Sequence, residues 1–226
     1  MKTTRFAFLA GAAATVALLI NGSTIAAEKP HKQMKTVSLP KYKNEDFYKD
    51  GKFQVEKAKA AYFDMMERHG FLVSENLRTN MWATDFGLGD FVHVGMAGIF
   101  WVNEEKDSYF GHEIFLMPGQ MIVEHGHEAT AKGKAKMESW QVRNGSIYTF
   151  GEEGNPIPAG VVLPKSQEKF ITVTKCYEMV PGEVRKLNRV GAKHFMMAGP
   201  QGAIVTEYAT FHDGDGLRFT NPGVKF

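Results

Sequence analysis

The sequence predicts a mostly β chain, a small barrel of the jelly-roll type with α-helical decoration on its N-terminal side. Three observations carry that expectation. From Val92 onward, short strand-like runs recur at 98–103, 112–117, 121–127, 139–142, 147–150, 170–176 and 203–209, with Gly, Pro and Asn between them. One earlier stretch, 53–69, has helical spacing instead. The chain has 226 residues, 43% apolar and 23% charged, enough for one domain with a proper core. No internal repeat, glycine-rich phosphate loop or recognisable Ser/Cys nucleophile setting is present.

Taken in order, residues 1–27 read as a secretory signal peptide: Lys2 and Arg5, an apolar run over 6–20, a small and polar end at Thr24-Ile25-Ala26-Ala27, and no acid before Glu28. The apolar run is too short to span a bilayer comfortably, so the expectation is export to the periplasm or exterior with no membrane attachment after cleavage. Cleavage removes two positive charges from a formal net charge of +2, leaving a near-neutral mature chain with no basic patch for nucleic acid. Cys176 is the single cysteine, so no intrachain disulfide forms. Residues 28–51 are Lys-rich, with Pro30 and Pro40, and read as a linker or surface arm; 52–226 form the single folded domain.

Within 53–69, Val55, Ala58, Tyr62, Met65 and Met66 repeat at helical spacing, and Gly70 supplies the stop. The stretch WATDFGLGDFVHV at 82–94 is aromatic and Gly-punctuated; Asp85 and Asp90 read as turn formers beside their glycines.

The most informative stretch is GQMIVEHGHEATAKGKAKMESWQVRNG, 119–145. His125 and His127 are two apart and share a strand face. Glu138 follows where strand-like register resumes, and His194 comes later, in GAKH. Three imidazoles and a carboxylate suit a divalent metal such as Mn, Fe, Co, Ni or Zn. A buried cluster of this kind needs partners, and one cation serves them all. His31, His69, His93, His112 and His212 are set aside as ligands, His212 being the rival to His194. Lys136 precedes Glu138 by two, so an inward Glu138 brings Lys136 inside or to the mouth of the barrel.

The spacing from Gly119 through His125, His127 and Glu138 to Gly145 resembles the first motif of the cupin superfamily, and Gly191–His194 resembles the core of its second. Ten residues separate His127 from Glu138, a longer interval than in many cupins. Together, WATDFGLGDF at 82–91, the 118–145 stretch and VTEYATFHDGDGLRFTNP at 205–222 resemble the D-lyxose isomerase (D-lyxose ketol-isomerase) branch. The resemblance runs over about 53–219. It implies a cupin barrel, usually homodimeric, and a divalent metal, commonly Mn, on His125, His127, Glu138 and His194. It also implies aldose–ketose isomerisation of a small sugar, with D-lyxose and D-xylulose as the type pair and mannose and fructose as related sugars. For that chemistry a carboxylate moves the carbon-bound proton; Glu207 is the first candidate and Glu113 the second. Lys136 serves the substrate oxygens. Arg218 serves distal hydroxyls, or pairs with the turn acids Asp213 and Asp215. The competing readings are a metal-dependent cupin of other chemistry, such as a dioxygenase, and a non-catalytic sugar binder.

Overall fold

The computed structural model describes residues 36–226, so the expected signal peptide and the first part of the arm lie outside the described residues. The described arm is packed rather than free. The Val37 N–H donates to Gln201 (2.6 Å), and the Phe47 ring sits 4.7 Å from that of Phe91. A short hairpin follows, β1 (Tyr48–Lys49) with β2 (Lys52–Phe53).

Helix α1 spans Val55–Arg68, within the expected stretch. Its buried face is Ala58, Ala61, Tyr62, Met65 and Met66. Gly70 takes φ +72° and ends it: the Gly70 N–H bonds the Glu67 carbonyl and the Phe71 N–H reaches back to Met66. A short second helix, α2 (Glu75–Asn80), is capped by Ser74, whose hydroxyl accepts from the Leu77 N–H.

The strands are β3 (Trp82–Thr84), β4 (Met96–Glu104), β5 (Tyr109–Leu116), β6 (His125–His127), β7 (Glu138–Gly151), β8 (Asn155–Pro156), β9 (Lys175–Met179), β10 (Val184–Lys186), β11 (Phe195–Ala209) and β12 (Leu217–Phe219). The large antiparallel sheet has the order β3-β4-β5-β11-β7-β9-β8, with β10 also on β7. A second, two-stranded sheet pairs β6 with β12, and bridges His125–His194 and Met121–Met197 run along the start of β11. This is the mostly β architecture the sequence predicts. Among the described residues no helix is long and apolar enough to cross a membrane.

Two cores follow from strand alternation. On β5, Ile114 and Leu116 point into the barrel, while Phe115 points out, under α1 with Ala97, Ile99 and Ile204. Two differences from the expected strands have physical reasons. The runs at 139–142 and 147–150 are one strand, β7, which bends at Gly145. There φ is +69° and a Cβ would lie 1.9 Å from the Gly202 carbonyl oxygen, so only glycine lets β7 and β11 approach. The run at 170–176 becomes a strand only from Lys175. Upstream, the N–H groups of Thr172 and Val173 are taken by the Glu124 carboxylate (2.7 and 3.0 Å) rather than by a sheet neighbour.

Candidate metal centre and active site

β6 sends His125 and His127 to one face, as its two-residue period requires. Antiparallel bridging places His194 directly across from His125, and β7 begins at Glu138 beside them. The ligand-capable atoms of His125, His127, Glu138 and His194 all lie within 4.8 Å of one another. The four residues named from the sequence thus converge in space.

The donor set fits a cation. The Nδ1 atoms of His125 and His194 each lie 2.9 Å from a backbone carbonyl, Val123 and Ala192 respectively. A proton on Nδ1 then donates to that carbonyl and leaves the Nε2 lone pair for a metal. The Nε2 atoms of His127 and His194 are buried with no hydrogen-bond partner, although Glu138 carboxylate oxygens stand 2.9 and 2.8 Å away. Three nitrogens and one carboxylate with orphaned nitrogens are what a borderline divalent ion satisfies. Burial, with His194 and His127 nearby, holds His125 well below the ordinary histidine range, so it is neutral and able to ligate. Burial alone would raise Glu138, but Lys136, then His127 and His194, hold its carboxyl well below the usual range.

A second linked group sits beside the first. Lys136 is buried, as the sequence expected; its Nζ lies 2.7 Å from Glu138 Oε1 and also bonds Glu207 Oε1. Burial works against its charge, but Glu138 and Glu207 outweigh it and raise Lys136. The other Glu207 oxygen lies 3.1 Å from His112 Nδ1. Burial would raise Glu207, yet Lys136 and His112 bring it below the ordinary carboxylate value. Strand register explains the grouping: Phe100, His112, Glu207 and Trp140 are direct cross-strand neighbours on β4, β5, β11 and β7, and all four face the cavity.

The cavity holds about 580 Å³ including its open mouth, a size ordinary for a small-molecule site. His112 and His212, set aside in the sequence, both line it. His112 had a signal only in topology, since its pairing with Glu207 spans 95 positions. The His212 ring stacks on Phe110 at 5.4 Å, and Asn103 brackets its backbone N–H and carbonyl.

Four expected site residues lie elsewhere. Glu113 alternates to the opposite face of β5 from His112, where it accepts bonds from Trp101 Nε1 (3.0 Å) and the Thr206 hydroxyl. Arg218 points away from the cavity between Leu217 and Phe219, which line it, and pairs with Glu128 at 2.8 Å. Asp213 accepts from the Thr130 hydroxyl at 2.6 Å, and Lys132 pairs with both Asp213 and Asp215. These groups clamp the long segment between His127 and Glu138 from outside; they do not face the cavity. Asp85 and Asp90 do form turns: Asp85 accepts from the Gly87 N–H and the Tyr48 hydroxyl, and Asp90 from Asn44.

No family model matches the chain. The D-lyxose/D-mannose isomerase of Thermosediminibacter oceani is 29% identical over 174 residues, 77% of this chain and 94% of the relative. The D-lyxose ketol-isomerase of Cohnella laeviribosi is 28% identical over 162 residues, 72% and 87% of the two chains. Among solved structures, ligand-free L-ribose isomerase of Cellulomonas parahominis superposes with TM-score 0.59 at 13% identity, covering 75% of this chain and 92% of that one. L-ribose isomerase of Acinetobacter sp. DL28 in complex with L-ribose does so with TM-score 0.59 at 16% identity, covering 75% and 90%. The chain shares its fold with these solved structures, and its clustered His and Glu side chains make a candidate metal site. In sequence its relatives are proteins named D-lyxose/D-mannose isomerase and D-lyxose ketol-isomerase, and that similarity supports an aldose–ketose isomerase.

Proposed function

We propose that this chain is a metal-dependent aldose–ketose isomerase acting on a small free sugar, with D-lyxose and D-xylulose as the reference pair. The observation that carries the reading is the contact between the two linked groups: Lys136 bridges Glu138 of the histidine cluster to Glu207 of the proton-handling cluster. His125, His127, Glu138 and His194 would hold the cation, with Mn the first choice. A divalent ion there supplies the positive charge that an enediolate developing across C1 and C2 requires.

The rest falls to the chain's own side chains. Glu207, buried and held ionised, takes the proton from C2 and returns it to C1. His112 fixes the carboxylate's orientation through its second oxygen. Lys136 has three N–H donors and uses two on Glu138 and Glu207. The third is free to hold a substrate oxygen and to pass a proton between O2 and O1. The net change is one carbon-bound and one oxygen-bound proton relocated, with no redox partner. The apolar cavity wall limits water near the reacting carbons.

The N-terminal stretch 1–27 supports an exported enzyme, and the family resemblance supports a homodimer. The test is to load purified protein with Mn, assay a panel of pentoses and hexoses for ketose, and measure bound metal. Turnover is expected, and His125→Ala is expected to lose both metal and turnover. A complete panel without product from metal-replete protein would sink the reading.

A further inference from the structure

The charged and imidazole side chains on one side of the cavity form two linked groups. His125, His127, Glu138 and His194 face one another, and Lys136, Glu207 and His112 form the second linked group. Beyond these, among the described residues, polar side-chain atoms on the cavity lining belong to His212 and the indoles of Trp82 and Trp140. One wall has none. It starts at Phe219, 6.0 Å from the His125 ring, and continues through the buried Phe86, 6.2 Å from Phe219; Phe226, 60% exposed and beside Trp82, ends it at the mouth. Phe86 holds that position in an uncommon backbone conformation, φ +55°, secured by the Thr84 hydroxyl accepting from its N–H.

A sugar with C1 and C2 at the metal cluster extends its remaining carbons along the walls. A hydroxyl set against Phe86 and Phe219, inward of the exposed Phe226, meets no side-chain donor or acceptor from those two rings, and a buried unpaired hydroxyl is costly. A methyl group at the same place gains apolar contact instead. We propose that this wall receives the terminal carbon of the substrate as a bare methyl, so that the enzyme prefers 6-deoxyaldoses to the hexoses that match them in every other hydroxyl. The inference rests on the isomerase reading and deepens it by naming the substrate class.

The experiment uses the Mn-loaded enzyme and an aldose panel in which each hexose is paired with its 6-deoxy counterpart. In the D-lyxose configuration the pair is D-mannose and 6-deoxy-D-mannose. The kcat/KM of the deoxy sugar is expected to exceed that of the hexose by about tenfold or more. Phe219→Tyr, which adds one hydroxyl to the wall, is expected to narrow that ratio at least about threefold, by recovering the hexose. Equal or better turnover of the hexose in the wild type overturns this inference and leaves the isomerase reading standing. Absence of turnover for every aldose overturns both.

Discussion

Two buried glutamates in one cavity have different surroundings, and that difference separates their duties. The two share the Lys136 ammonium, but Glu138 also faces two imidazoles of the ligand cluster whereas Glu207 faces only that of His112. Glu138→Gln is therefore expected to lower bound metal in elemental analysis. Glu207→Gln is expected to keep the metal but cut kcat by about 10²–10⁴-fold, as loss of a general base does. His112 adds a directional prediction. It is one of the groups that lower Glu207, so His112→Phe removes a stabiliser of the ionised carboxylate and raises its pKa. A base that must be ionised then fails at higher pH. The acid limb of the kcat/KM profile is expected to move upward in the variant, with metal content unchanged; an unmoved limb would show that His112 does not act through Glu207.

At the scale of elements, the segment from Glu128 to Met137 runs from the exposed Glu128 to the buried Lys136. It does so clamped at its outer end, where Thr130 and Lys132 hold Asp213 and Asp215 and Glu128 holds Arg218. Asp213→Ala is expected to reduce kcat/KM severalfold by loosening the carrier of Lys136, while the thermal unfolding midpoint stays close to that of the wild type. The same clamp shows where sequence reading stops. The acids and arginine of 213–218 stand out in the sequence as charged residues beside a histidine, but charge alone does not tell a loop clamp from a sugar contact. Strand phase decides: Arg218 and Glu113 are each one residue out of step with neighbours that line the cavity. A one-residue step on a strand reverses the side chain, and that phase is set by pairing with distant strands.

For the molecule as a whole, His125 and His127 are legible because His-x-His translates directly into one strand face, and Lys136 because it stands two residues before Glu138, where β7 begins. Pairing between His112 and Glu207, or between His125 and His194, depends on how strands far apart in the chain close the barrel. His212 illustrates what such enclosure does to stability. Burial, with Lys136 nearby, lowers it from an ordinary 6.5 to about 4. Between those values the unfolded chain binds a proton that the folded chain refuses, so its contribution is full above about pH 6.5 and is lost as the pH falls toward 4. Wild type is expected to lose more urea resistance than His212→Phe between pH 7.5 and pH 5, by up to about 1.4 kcal/mol per pH unit. Identical losses would show that this imidazole is not protonation-sensitive in the fold.

The arm that precedes the barrel reaches further into its chemistry than its position suggests. Tyr48 donates to Asp85 at 2.7 Å, and Asn44 ties both Asp90 and the Val92 N–H; between those acids and their glycines lies the turn that sets Phe86 into the cavity wall. Asn44→Ala with Tyr48→Phe, which removes those side-chain contacts, is expected to release that turn and blur discrimination among sugars before it unfolds the barrel. Substrate profiling of that double variant would register selectivity falling with circular dichroism unchanged, and residues 44–48 would then count as distant governors of what the enzyme accepts.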